Sequence, residues 1–305
     1  MSKRKTSLVK VYLVTVFITL VLVGGTAIFV YTQFLSDKPK ASSETSSVQS
    51  GIMPFVPEVE QNQTVLYILD CGDTETDDIF LLTRFLPVEQ KLILVPISGN
   101  TFSQINTKKS TVYDFYRTGG SLSAVEAVEN ATNIDIEKYM KFNKDSFNTL
   151  VDIFGGVNFT VPYDLIYDNT KTNESVVLRS GRQSLDGIRL RWLLTFPEYK
   201  EGEEYRNKMT GSAISSMINQ SLGERLDGTL DLSFNSIINS VDTNITAYDF
   251  NFRKDAISYL IEAGNTPAQF KTPVGKLNEE KQFVLDTKFK EDLLYWFEVD
   301  PIVET

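Results

Sequence analysis

Asp145-Ser146-Phe147-Asn148-Thr149-Leu150-Val151-Asp152-Ile153-Phe154-Gly155-Gly156-Val157-Asn158-Phe159-Thr160-Val161 is the stretch that decides the fold. Phe147, Leu150, Val151 and Phe154 fall at i, i+3, i+4 and i+7, which is one face of a helix. Val157, Phe159 and Val161 then alternate with Asn158 and Thr160 at the period of a half-buried strand. The period switches at Gly155-Gly156, where glycine takes positive φ without steric cost, ends the helix and turns the chain back. The spacing predicts a helix-to-strand hinge with both apolar faces turned toward one core.

Outward from this hinge, strands and helices interleave. Val65, Tyr67 and Leu69 alternate in a strand that ends in the acidic loop Asp70-Cys71-Gly72-Asp73. Ile79 to Phe85 and Leu92 to Ile97 read as a hairpin across the turn Pro87-Val88-Glu89-Gln90-Lys91. Leu122 to Ala131 reads as a helix, and Tyr139 to Phe142 as a strand. Tyr167 to Glu174 reads as a polar insertion. A helix starts near Asp186, and Arg206 to Leu222 forms another that stops at Gly223. The pattern predicts an α/β fold, an α-β-α layered domain over residues 64–305.

The N-terminal part has a different character. Lys3, Arg4, Lys5 and Lys10 precede an uncharged run from Val11 to Leu35, long enough to cross a bilayer as a helix. A cleaved signal peptide is the rival reading, but the run exceeds a usual signal-peptide core and no small-x-small cleavage site stands out. The expectation is a cytoplasmic tail over 1–10, one transmembrane helix over 11–35 and a Ser/Thr/Pro-rich stalk over 36–63. The folded domain is then extracytoplasmic, on a single-pass cell-membrane protein.

Composition excludes several chemistries. The chain has no histidine, which removes Ser-His-Asp and Cys-His catalysis and His-ligated metals. Cys71 is the single cysteine, so no intramolecular disulfide forms. A formal charge of −10 argues against nucleic-acid partners, because neutralising phosphates needs a basic face.

The order of the pieces resembles the LytR-CpsA-Psr family of membrane-anchored cell-wall proteins. The resemblance is carried by Thr76-Asp77-Asp78-Ile79 through the hairpin to Thr101, by Gly119-Gly120 and its helix leading to Ile134-Asp135-Ile136-Glu137-Lys138-Tyr139, and by the hinge. Leu178-Arg179-Ser180-Gly181-Arg182-Gln183-Ser184-Leu185-Asp186-Gly187 carries it further, and Val241-Asp242-Thr243-Asn244-Ile245-Thr246 more weakly. The resemblance implies an α-β-α domain that holds a polyprenyl pyrophosphate and transfers a glycopolymer phosphate from that lipid to peptidoglycan. Such chemistry calls for arginine forks on the phosphates and a divalent metal such as Mg²⁺ on carboxylates.

The chain departs from the family pattern at those cations. Glu75 stands where the family carries Arg, with Asp77 following in its place. Ser98-Gly99-Asn100-Thr101 replaces Pro-Arg-Asp-Thr, and Thr195-Phe196-Pro197 replaces an Arg-x-Arg. Of a later Arg-x-x-Arg-Gln, Arg206 remains. The resemblance thus implies Asp77 as metal ligand and Arg206 as phosphate ligand, and Asp73 joins Asp77 in the acidic cluster as a second metal ligand. Arg189 and Arg191 are candidates to replace the lost phosphate-binding arginines, since Arg191 lies one helical turn before Thr195. The bland alternatives are a solvated helix face for the arginines and an acidic surface loop for the aspartates. Two functions follow: a phosphotransferase of cell-envelope assembly, or a non-catalytic lipid- or protein-binding protein, a pseudoenzyme, on the same fold. A sensor ectodomain is a weaker third.

Overall fold

The computed structural model describes residues 55–72, 78–169 and 174–299. The chain divides into two compact units, Met1–Met53 and Pro54–Thr305, and the described residues belong to the second. The run from Val11 to Leu35 lies outside them, and among the described residues no helix is long and apolar enough to cross a membrane.

In chain order the elements begin with β1 (Gln63–Leu69), β2 (Ile79–Leu86), β3 (Lys91–Ile97), β4 (Phe102–Ile105), β5 (Lys108–Thr111), α1 (Val112–Thr132) and β6 (Lys138–Phe142). The hinge supplies α2 (Lys144–Phe154) and β7 (Val157–Val161), followed by β8 (Leu165–Asn169), β9 (Glu174–Leu178), β10 (Gly181–Leu185), α3 (Gly187–Leu194) and α4 (Gly202–Ser221). The rest comprises α5 (Glu224–Asp227), α6 (Leu230–Ile238), β11 (Asp242–Thr243), α7 (Ala247–Glu262), β12 (Ala268–Phe270), β13 (Gly275–Leu277), β14 (Phe283–Leu285) and α8 (Thr287–Phe297).

One mixed sheet, ordered β11-β6-β1-β2-β3-β12, is the centre of this mixed α/β domain. β2 and β3 form the expected antiparallel hairpin, with Phe80 opposite Ile97 and Phe85 opposite Leu92. β6 returns parallel to β1 after the α1 crossover. Strand alternation divides the apolar residues between two faces. Leu66, Ile68, Phe80 and Leu82 pack with α1 and α8, through residues such as Val128, Phe289 and Phe297. Tyr67, Leu69, Leu81 and Leu94 face the other way and pack with α2, α3 and α4, through Val151, Leu190 and Ile214.

The hinge folds as its periodicities require. Asn143 caps α2 reciprocally with Ser146, and Gly155 ends the helix at φ 88°. Gly156 follows at φ 73°, where a Cβ would lie 2.5 Å from the Leu185 carbonyl oxygen. Phe147, Val151, Val157 and Val161 share one core, so helix and strand do turn their apolar faces together. β7 pairs with β10 in a separate ribbon and does not join the main sheet.

Three segments differ from expectation. The polar insertion is the hairpin β8–β9, with Tyr167 opposite Val176. Its strands hide in sequence because Asp168, Asn169 and Glu174 dilute the alternation. α1 begins at Val112, capped by the Thr111 side chain, well before Leu122. Gly120, at φ 70° and ψ −159°, kinks it, and the β-prone Tyr113, Phe115 and Tyr116 mask its first half. Finally, Val59–Gln61 form a 3-10 turn, and the Gln61 side-chain amide donates to the Phe252 carbonyl of α7 at 2.9 Å. Packed structure thus begins ahead of Thr64.

Candidate functional site

An elongated apolar cavity of about 390 Å³ lies on the α2/α3/α4 face of the sheet. Its floor is the sheet, through Val65, Tyr67, Leu81 and Leu94, and its walls come from α2, α4, α6 and α7. Alternation along β1 and β2 sends every second side chain to this face. The low polarity follows from Phe154, Ile218, Phe234 and Ile257, which meet there from four different helices. Tyr67 is one of the few polar groups present, and burial pushes its phenol up to about 12, so it stays neutral.

The candidate arginines lie on α3 and α4, which pack on each other. Asp186 caps α3, its carboxylate accepting from the Arg189 backbone N–H at 2.9 Å. This start sets the helix phase and separates the two candidate arginines. Arg189 is exposed and pairs with Asp186 at 3.5 Å. Arg191, two residues on, is buried, with 6% exposure. It stands one turn before Leu194, which lines the cavity. Arg206 on α4 is 9% exposed and stands one turn before Thr210, also a cavity residue. Arg191 and Arg206 each precede a residue of the cavity wall by one helical turn.

An acidic neighbour tempers the charge of Arg206. Glu203 Oε1 lies 3.6 Å from Arg206 Nη2 and also accepts from the Ser98 hydroxyl. Ser98-Gly99-Asn100-Thr101 is occupied by structure: the Asn100 N–H donates to Ser98 Oγ at 2.9 Å and the Tyr113 N–H to the Gly99 carbonyl at 2.9 Å. Beside α4, Tyr163, Phe196, Tyr199 and Tyr205 form an edge-to-face cluster in which the Phe196 and Tyr199 centroids are 5.3 Å apart. Burial, ahead of the nearby Tyr163 and Tyr205, pushes the Tyr199 phenol far above its ordinary value, and its hydroxyl donates to the Leu193 carbonyl at 2.7 Å.

The acidic loop after β1 divides in two. Asp73 and Asp77 lie outside the described residues. Asp70 accepts from the Gly72 N–H at 2.8 Å and the Tyr116 hydroxyl at 2.6 Å, while the buried Asp78 accepts from the Cys71 N–H at 2.8 Å. Among the described residues no group of three or more Asp, Glu or Cys could hold a metal. Asp70 and Asp78 tie the two ends of the loop through these hydrogen bonds.

The cavity itself carried no sequence signal, because its walls come from segments far apart in the chain. The burial of Arg191 was legible only as a helical phase relative to Thr195. Glu203 and Ser98 had no sequence signal linking them.

Comparison with known proteins places this arrangement. A polyisoprenyl-teichoic acid–peptidoglycan teichoic acid transferase, TagU of Bacillus licheniformis, is 24% identical over 180 residues, 58% of this chain and 57% of that protein. An uncharacterized Staphylococcus aureus protein is 30% identical over 114 residues, 36% of this chain and 28% of its own length. The chain thus spans less than two thirds of these relatives. Among solved structures, one from Eubacterium siraeum superposes with a TM-score of 0.71 at 25% identity, covering 85% of this chain and 99% of that one. TagT bound to LIIa-WTA superposes with a TM-score of 0.61 at 18% identity, covering 81% and 94%, a likeness of fold. The LytR_cpsA_psr family profile matches residues 59–287, spanning the sheet, the cavity, Arg191 and Arg206, and the chain therefore belongs to the LytR-CpsA-Psr family.

Proposed function

We propose that this chain is a membrane-anchored, extracytoplasmic cell-envelope protein that binds a glycopolymer linked to polyprenyl pyrophosphate and transfers the glycopolymer phosphate to peptidoglycan. The observation that carries the reading is the apolar cavity, two of whose wall residues, Leu194 and Thr210, follow the buried Arg191 and Arg206 by one helical turn. That pairing suits an amphiphile with an isoprenoid tail and an anionic head. The tail gains from leaving water at about 25 cal/mol per Å² of buried apolar surface. The head meets guanidinium groups whose hydrogen bonds to charged oxygen contribute about 1.5–3 kcal/mol each.

In the transfer, an acceptor hydroxyl oxygen bonds to the glycopolymer-side phosphorus and loses its proton to water. The phosphorus–oxygen bond to the prenyl-side phosphate breaks, and prenyl phosphate leaves. Arg191 and Arg206 would hold the developing negative charge. Mg²⁺ on Asp73 and Asp77 would supply further charge neutralisation when bound. The N-terminal helix over 11–35 would keep the domain at the membrane that carries the lipid substrate.

A second reading, a non-catalytic binder, draws on Glu203 beside Arg206 and on the structurally occupied Ser98–Thr101 turn. Titrating the purified chain with polyprenyl pyrophosphate, with and without Mg²⁺, separates the two. Metal-dependent binding that disappears in Asp77→Ala and Arg206→Ala supports the transferase. Binding indifferent to metal and to both substitutions leaves the binder.

A further inference from the structure

α7 carries apolar residues on two sides, the outer one shared with the exposed Asp255 and Glu262. Phe250, Ile257, Leu260 and Ile261 line the cavity. On the other side Tyr248 is 76% exposed and stacks on Phe252, with centroids 6.3 Å apart. Residues 55–62 run antiparallel along this helix. The Phe55 ring meets Tyr259 at 6.3 Å, and the Arg253 Nε donates to the Gln61 carbonyl at 3.1 Å. The strand of chain so pinned sets the exposed Phe55, Val56 and Val59 alongside the helix, interspersed with the exposed Glu58 and Glu60.

An aromatic and aliphatic face of this kind is costly in water and marks a contact site. Its position in the chain indicates the partner. Phe55 follows residues 36–54, which connect it to the uncharged run ending at Leu35 and reach no farther than roughly 65 Å even when fully extended. A bilayer crossed by that run is thus always within reach. Tyrosine settles at the headgroup level of a bilayer, where its apolar body and polar tip both find partners, and phenylalanine enters the acyl boundary just beneath.

We propose that Phe55, Val56, Val59, Tyr248 and Phe252 form a bilayer-docking face that rests on the outer surface of the membrane. Docking this face places the cavity wall on the opposite side of the same helix, about 10 Å from the headgroups. A prenyl chain could then pass from bilayer to cavity without crossing bulk water. The inference rests on the transmembrane anchor proposed above, and is independent of whether transfer occurs.

The test uses the full chain reconstituted in phosphatidylglycerol–phosphatidylcholine vesicles containing lipids brominated in the upper acyl chain. Tyr248→Trp reports the face, and Tyr295→Trp, an exposed site on α8 (82%), is the control. Subtracting the emission of the unsubstituted chain removes Trp192 and Trp296. The expected result is a roughly twofold loss of the added Tyr248→Trp emission, with Tyr295→Trp unchanged, as an aromatic at headgroup depth requires. Flotation with the vesicles reports the anchor separately. A chain that floats but shows equal quenching at both sites overturns the docking face and leaves the anchor standing. A chain that does not float overturns both. Emission that changes with protein-to-lipid ratio but not with bromine identifies a contact between copies and also overturns the proposal.

Discussion

Glu203 lies 3.6 Å from Arg206 and at the same time accepts the Ser98 hydroxyl, so a carboxylate stands against a cation that the family likeness assigns to phosphate. An incoming phosphate must compete with that internal anion. Replacing Glu203 by Gln removes the charge and keeps the shape. Pyrophosphate binding by calorimetry is expected to tighten about tenfold, the equivalent of one charge-assisted hydrogen bond. Unchanged affinity would show that Glu203 does not compete.

Arg191 and Arg189 sit on one helix in opposite environments, 6% exposed against solvated. Arg191→Ala empties a buried position and is expected to cost about 2–4 kcal/mol in urea unfolding. Arg189→Ala removes a surface pair with Asp186 and is expected to change stability by less than about 1 kcal/mol. Comparable losses for both would contradict the buried setting of Arg191.

Gly156 has no room for a side chain. At φ 73°, an added Cβ would strike the Leu185 carbonyl oxygen at 2.5 Å. Gly156→Ala combines left-handed strain of about 1–2 kcal/mol with that clash. The melting temperature is expected to fall by about 5 °C or more. A melting point within a degree of the parent would mean that β7 and β10 pair less tightly than the hinge implies.

The start of α7 depends on Asp249. Its carboxylate pairs with Lys138 at 2.8 Å with only 14% of the side chain exposed, and it also takes part in the Thr246 capping box. Burial opposes the charge, but the hydrogen bonds from Lys138 and Thr246 outweigh it and lower the pKa from 3.8 to about 2. A lowered folded-state value stabilises above the unfolded value and ceases to do so as pH falls through the folded one. Asp249→Asn is therefore expected to cost on the order of 2 kcal/mol at neutral pH. In acid titrations the difference from the parent should shrink between about pH 4 and pH 2. A constant difference across that window would refute the assignment.

Local chemistry determined much of this protein before any coordinates. The hinge, the β2–β3 hairpin, the cap at Asp186 and the stop after α4 are each written in neighbouring residues, because period, cap and turn act over a few positions. Those signals carried the α/β class and the family likeness, which the family profile bears out. The tertiary structure alone decided the cavity, the burial of Arg191 against the exposure of Arg189, and the meeting of Glu203 with Ser98 and Arg206. The first half of α1 and the β8–β9 hairpin belong there too, since aromatic and polar residues blur their periods until packing selects the conformation. The physical reason is range. A helix phase is set within a turn, whereas a chamber walled by Val65, Phe154, Ile218 and Ile257 exists only once the distant segments have folded together.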